Sequence, residues 1–410
     1  MQIKDFKDKK ITIMGLGLHG GGVGSARFFA QAGAKVLVTD LKKEQELKES
    51  ILKLKEFKNI EYALGQHRME DFKNTDLIIR NPAVPDNSRH LETARENKVP
   101  IDTDIGIFFE LCPAQIIGIT GSKGKSTTAS LCAEVLKKKY TSVILAGNIR
   151  VSVFDVLPEI KKSSLAVLEL SSWQLEGLKQ HKKSPHIAVI TNIYKEHLDR
   201  YKSFEEYTSA KKNIFKFQNK NDILIIDKKL RNLAKDIKPE LKLFDGTSQE
   251  AARIIGEIYE VSEKDIEKTI KGFRGLEGRL EFVKEINSVK YYNDTCATHP
   301  EAVIYGLNQF NNVVLIAGGT DKNLDFAKLN KVLNQKIKAL ILLPGTASNK
   351  IKTRKKTIKI ENMEQAVLQA KKIAKPGDVV LLSPGCASFG LFKHEFDRGE
   401  KFKKYVQAET

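Results

Sequence analysis

The chain has 410 residues and a formal net charge of +18, from 69 Lys and Arg against 51 Asp and Glu; this length is too great for one core, so two or three domains are expected. No apolar run could span a bilayer, the first ten residues lack an apolar signal region, and four scattered cysteines (Cys112, Cys132, Cys296, Cys386) form no C-x-x-C pair, which argues against a membrane protein, a secreted disulfide scaffold and a zinc site. The lysines are spread along the chain, and their densest clusters (137–139 and 351–359) carry no interleaved aromatics, which speaks against nucleic acid and for a solvated basic surface favouring small anions.

In chain order, the spacing predicts a strand at Lys10–Met14, then Gly15-Leu-Gly17-Leu-His19-Gly20 and a helix, then a strand from Lys35 ending at Asp40. Read alone, G-x-G-x-x-G with an acid about twenty residues on suits a Rossmann-type dinucleotide site. The plainer alternative is that the glycines only let helix and sheet pack closely. Residues 76–80 form another strand, and Asn81-Pro82-Ala83 opens the loop at its carboxyl end, where open α/β sheets bind ligands. Residues 105–113 read as the passage to a second domain.

The stretch Gly118-Ile-Thr-Gly-Ser-Lys-Gly-Lys-Ser-Thr127 follows an apolar strand and opens a helix. Gly121, Ser122, Lys123 and Gly124 would make a turn whose backbone N–H groups face a phosphate chain, with the helix dipole behind them. Lys125 would neutralise the β/γ-phosphates, Ser126 would reach a magnesium ion, and Thr127 would complete the nucleotide site. The upstream glycines are Gly118 and Gly121, so the spacing is not the strict G-x-x-x-x-G-K-[ST].

Further buried strands at 142–145, Leu165–Glu169 and 187–191 imply a mostly parallel, helix-covered sheet. Glu169 stands at the end of one, and His197 and Asp199 follow another. Singly these read as structural; together beside a phosphate turn they read as a site. A third α/β segment begins near Gly275, with strands at Val313–Ala317, 339–343 and 379–383 and glycine-bearing turns at 318–322 and 383–388.

These anchors, with Gly147-Asn-Ile149, Glu169-Leu-Ser-Ser-Trp-Gln-Leu-Glu176, Glu196-His-Leu-Asp-Arg-Tyr201, Ala210-Lys211, Gly278-Arg279, Asn293-Asp294 and Leu382-Ser-Pro-Gly-Cys-Ala-Ser388, resemble those of the Mur ligases over essentially the whole chain. The Glu-Leu-Ser-Ser-aromatic-Gln-Leu-Glu string is similar to that of the branch that joins glutamate to UDP-N-acetylmuramoyl-L-alanine.

The resemblance implies three α/β domains: a Rossmann-like one at 1–104 holding UDP rather than NAD, a central P-loop ATPase-type one at 105–276, and a Rossmann-like one at 277–410 receiving the acceptor amino acid. It implies that ATP phosphorylates the substrate carboxylate and that the amine of glutamate, D-glutamate foremost, attacks the acyl phosphate in a cytoplasmic step of bacterial peptidoglycan synthesis. Gly17, Leu18, His19, Asp40, Asn81, Pro82, Ala83, Asn148 and Ser171 would line the UDP-substrate site. Ser126 and Glu169 would hold one Mg²⁺; His197 and Lys211, the latter as a CO₂-derived carbamate, would hold a second. Arg279 and Asp294 would meet ATP, and Lys322 and Ser388 the acceptor. The enzyme would act on small molecules as a monomer, without nucleic acid or membrane.

Four departures accompany the resemblance. Gly246-Thr-Ser-Gln-Glu250 stands where the family has His-Asn-x-x-Asn, Cys296 where it has lysine, Arg150 where it has glycine, and Phe389-Gly390 follows Ser388 where the family has an aspartate-bearing run. Rival readings are a Mur-type ligase with L-glutamate or another acceptor, a non-catalytic nucleotide-binding homologue, and a Rossmann oxidoreductase. A polyglutamate synthase is disfavoured, because such enzymes lack the amino-terminal UDP-type domain.

Overall fold

The structure is a computed structural model that describes residues 1–18, 20–149, 151–194, 200–321, 324–388 and 390–408. The chain forms two compact units, Met1–Gly272 and Phe273–Thr410. The first holds two parallel sheets. One contains β1 (Lys10–Met14), β2 (Lys35–Asp40), β3 (Ile60–Leu64), β4 (Leu77–Arg80) and β5 (Ile101–Asp102), in the order β3-β2-β1-β4-β5. The other contains β6 (Gln115–Thr120), β7 (Val143–Gly147), β8 (Leu165–Glu169), β9 (Ile187–Ile190), β10 (Ile223–Asp227) and β11 (Glu240–Phe244), in the order β11-β10-β9-β6-β8-β7. β8 and β9 are buried at every residue, as expected of strands covered by helices on both faces.

One apolar cluster runs under both sheets, from Phe6, Phe28 and Val36 to Phe154, Leu168 and Tyr207. Phe28 stacks on Phe154 with ring centroids 4.3 Å apart and 4° between planes. The passage at 105–113 is a buried helix, Asp104–Leu111, capped by Thr103. From the helix Ser172–His181, His181 reaches back to Asp102 (Nε2 to Oδ1, 2.9 Å) and Glu110 (Nδ1 to Oε1, 3.1 Å). These carboxylates raise the imidazole pKa, chiefly through the Asp102 bond.

The second unit contains an antiparallel pair, β12 (Glu281–Ile286) and β13 (Val289–Asn293), then β14 (Val313–Ala317), β15 (Ile337–Leu342), β16 (Lys356–Lys359) and β17 (Val379–Leu382). Their order is β12-β13-β17-β14-β15-β16. In each unit the winding reverses beside a central strand: between β1 and β4, between β6 and its neighbours β8 and β9, and between β14 and β17. Such reversals open a crevice at the carboxyl ends of the strands.

Candidate active site

Between β1 and β4, Gly15 to Leu18 face the loop Asn81 to Ala83. Asn81 shapes that loop by accepting from Ala83 N through Oδ1 (3.0 Å) and donating to Gly15 O (3.3 Å). Asp40 is buried, and its Oδ2 accepts from Leu16 N (2.9 Å) and Gly17 N (3.0 Å) while Oδ1 accepts from Lys42 N (2.9 Å). Asp40 therefore braces the glycine loop with both oxygens. Across the crevice lie Asn148 and Ser171, and the whole encloses a cavity of about 420 Å³ lined by Leu16, Gly17, Leu18, Asn81, Asn148 and Trp173, among others. Pro82, Ala83 and Ser171 also line it. The Ser171 hydroxyl caps the helix Ser172–His181 by accepting from Gln174 N (3.2 Å). Two larger cavities, of about 640 and 620 Å³, flank the helix Phe204–Lys212 and contain none of these residues.

The phosphate turn follows β6. Gly121 has φ +154, and a Cβ there would collide with Thr191 Oγ1, so only glycine fits. Gly124 ends the turn at φ +81 as the N-cap of the helix Lys125–Leu136, with no side-chain cap. The dipole and N–H groups of that helix start are thus directed at the turn. Asn192 holds the turn by accepting from Lys123 N (2.8 Å) and donating to Lys123 O (3.0 Å). Ser122 Oγ accepts from Tyr194 N (2.9 Å) and lies 3.0 Å from Tyr207 OH. Lys125 Nζ donates to Gly121 O (3.0 Å) and Ser122 O (2.9 Å).

Glu169 ends β8 with 1% of its surface exposed. Its Oε1 accepts from Asn148 Nδ2 at 2.8 Å, whereas Oε2 is buried with no hydrogen-bond partner among the described residues. A buried carboxylate oxygen left bare is costly, and a hard cation would complete it. Ser126, buried in the first turn of the neighbouring helix, supplies a second hard oxygen, so the donor set fits Mg²⁺. Lys211 is buried, donates to Gly121 O at 2.8 Å and lies 4.8 Å from the Tyr207 ring centre. No cluster of three or more His, Cys, Asp or Glu suited to a metal occurs among the described residues.

Three family models match successive parts of the chain: a Mur ligase MurD-like N-terminal domain over 9–103, a Mur ligase middle domain over 119–283, and a Mur ligase glutamate ligase domain over 278–386. UDP-N-acetylmuramoylalanine--D-glutamate ligases are similar along their full length. That of Roseiflexus sp. (strain RS-1) is 37% identical over 98% of this chain and 99% of its own. The Borreliella burgdorferi (strain ZS7) protein is also 37% identical, over 99% of both.

The chain belongs to the Mur ligase family.

Solved Mur ligase structures share its fold. UDP-N-acetylmuramate-alanine ligase MurC from Thermotoga maritima has a TM-score of 0.58 at 19% identity, covering 97% of this chain and 99% of its own. MurF ligase from the same organism, in complex with ADP, has a TM-score of 0.56 at 18% identity, over 91% and 95%. Read as a Mur ligase, the first unit brings together Gly17, Leu18, Asn81, Pro82, Ala83, Asn148 and Ser171 around one cavity, and Asn148 joins that cavity to Glu169. His19, His197, Arg150 and Lys322 lie outside the described residues.

In the second unit Asp294 is buried, accepting from Ser383 Oγ (2.7 Å) and Leu280 N (3.3 Å). Burial raises its carboxyl pKa to about 7. Arg279 is exposed on the turn before β12, and Ser388 is buried. Cys296 N donates to Gly278 O (2.8 Å). The altered segment at 246–250 passes straight from β11 into the helix Ser248–Ile258, with Thr247 as its cap. Ser248 Oγ lies 2.8 Å from Thr128 Oγ1, which ties that helix to the one behind the phosphate turn.

Sequence reasoning missed Asp104, Tyr207 and Asn192. Asp104 lines the cavity beside Asn81 and Asn148, and burial raises its pKa to about 6. An acid inside the apolar run at 104–109 was its signal. Tyr207 stands one helical turn before Lys211 and could have been placed by that spacing. Asn192 lies two residues past the carboxyl end of β9, where ligands gather.

Proposed function

We propose that this chain is an ATP-dependent ligase that joins glutamate, D-glutamate foremost, to UDP-N-acetylmuramoyl-L-alanine through an acyl phosphate, in the cytoplasm and as a monomer. The observation that carries this reading is the single cavity from the glycine loop at Gly17 to Asn148, which is bonded to Glu169. It suits an extended nucleotide-sugar whose uridine end meets Leu18, His19 and Asn81 and whose carboxylate end meets Asn148. The domains would span 1–104, 105–276 and 277–410.

The chemistry brings a carboxylate against a γ-phosphate, so two anions must approach. Lys125 would leave its loop carbonyls for the β/γ-phosphates, and the N–H groups of the turn would hold them while charge builds. Ser126 and Glu169 would hold Mg²⁺, which spreads the phosphate charge. His197 and Lys211 would hold a second ion, with Lys211 carbamylated to present oxygen. Arg279 and Asp294 remain the proposed ATP-side residues of the second unit. Lys322 and Ser388 would take the acceptor, whose neutral amine attacks the acyl carbon and expels phosphate.

The test is ADP release with UDP-N-acetylmuramoyl-L-alanine and each glutamate enantiomer offered separately. Glutamate-dependent release is expected, with loss of several orders of magnitude in Lys125→Ala. No release with either enantiomer, or near-normal release in Lys125→Ala, overturns the reading.

A further inference from the structure

In the second unit the loops after β13, β14 and β17 are tied together. Gly318 N donates to Pro384 O (2.9 Å), Gly385 N to Ala297 O (2.8 Å), and Thr320 and Ala387 exchange two backbone bonds (3.0 and 3.1 Å). Beneath them lies Arg398, in the helix Glu395–Gln407 and 0% exposed. Its Nε donates to Thr295 Oγ1 (3.0 Å), Nη2 to Thr295 O (2.8 Å) and Nη1 to Cys386 O (3.3 Å). All three acceptors are neutral, and Arg398 forms no salt bridge among the described residues. Burial lowers its pKa to about 10, so it stays charged at neutral pH.

A buried guanidinium without a hydrogen-bonded counter-ion is expensive to keep. Three neutral acceptors satisfy its hydrogen bonds, and the Glu395 carboxylate on the same helix offsets the charge by less than burial costs it. The crevice above it is where winding reverses between β14 and β17, the place where an open α/β sheet takes its ligand. We infer that Arg398 is the buried cation of the acceptor site, a positioning residue that fixes the Thr295 and Cys386 turns and favours an amino acid with a second carboxylate. This rests on the proposed function, which places glutamate beside Ser388. Arg398 would act on the incoming amino acid through these turns and through its field in a low-dielectric interior, not by direct contact.

The experiment measures kcat and KM for ATP, glutamate and glutamine in the full-length wild type and in Arg398→Lys, Arg398→Gln and Arg398→Met. Glutamine is glutamate with its second carboxylate made neutral, so the ratio of the two kcat/KM values isolates the charge. The Gln and Met variants should raise the glutamate KM about tenfold and lower the glutamate-over-glutamine ratio about tenfold, with the ATP KM within twofold. Arg398→Lys should keep most of the ratio. Should Met fail to fold, Gln retains amide donors for the turn and still removes the charge. A ratio unchanged in Gln and Lys, with only kcat or Tm reduced, overturns the inference and leaves the ligase reading intact. A wild type without glutamate-dependent ADP release defeats both.

Discussion

Lys125 and Lys211 donate to the same acceptor, the carbonyl oxygen of Gly121, at 3.0 and 2.8 Å. One comes from the phosphate turn's own helix and the other from the helix Phe204–Lys212. Two side-chain amines therefore meet on the turn that would hold the phosphates. Lys125 also donates to Ser122 O, so an incoming phosphate must compete for it against two carbonyls.

This meeting bears on the proposed carbamate. Two ammonium groups on one carbonyl repel each other, whereas a carbamate on Lys211 would attract Lys125 and offer oxygen to a magnesium ion. Lys211→Ala should be nearly inactive and partly rescued by acetate or another short carboxylic acid, which supplies the missing oxygens. ADP release with and without added acid checks this. Full activity in the unrescued variant would remove Lys211 from the chemistry.

Asp104 gives a pH prediction. Its carboxyl pKa is raised from 3.8 to about 6, chiefly by burial. Between those values the native chain holds a proton that the unfolded chain has released. Stability from this group is therefore complete below about pH 4, falls as pH rises to about 6, and stays reduced above. Asp104→Asn should gain on the order of 2 kcal/mol relative to the wild type at pH 8 and lose that advantage at pH 4. Denaturant melts at the two pH values check it, and equal gains at both would contradict it.

The stacked pair Phe28 and Phe154 should carry much of the joint core of the first unit. Phe154 is 2% exposed, and truncating a buried phenylalanine costs about 3–5 kcal/mol. Nearby, the partly exposed ion pair Arg27–Asp155 (2.7 Å) should contribute at most about 1 kcal/mol. Phe154→Ala should lower the melting temperature far more than Asp155→Ala. Comparable losses would mean that the stack packs loosely.

The sequence made β1, β6, β8 and β14 legible because each is a short apolar run followed by a glycine or polar turn. The hairpin β12–β13 and the edge strand β16 were not, since Glu281, Lys284, Glu285 and Lys356 interrupt the apolar pattern on half-exposed faces. The helix Asp104–Leu111 reads in the sequence as a connector because nothing local shows that the first two sheets share one core. At the site, motif spacing pointed to the phosphate turn, the end of a buried strand pointed to Glu169, and the family resemblance pointed to Lys211. None of these could show that Asp40 and Ser171 brace backbone N–H groups, or that Arg398 lies buried with no salt bridge among the described residues. Those facts arise only when distant segments pack.

Glu169 offers the sharpest separation of metal binding from folding. Its Oε2 lacks a partner among the described residues while Oε1 is held by Asn148. Glu169→Gln keeps the shape and an oxygen for Asn148 but removes the negative ligand. Without metal, the variant should fold as well as the wild type or slightly better, because a buried charge has gone. With Mg²⁺ and a non-hydrolysable ATP analogue, the wild type should gain melting temperature through ligand linkage, and the variant should gain little. ADP release in the variant should fall by about a thousandfold, in line with losing a charge that acts on the transferring phosphate. A variant that is destabilised without metal yet keeps the full magnesium-dependent gain would make Glu169 a structural carboxylate, and the first metal site would have to be sought elsewhere around the turn.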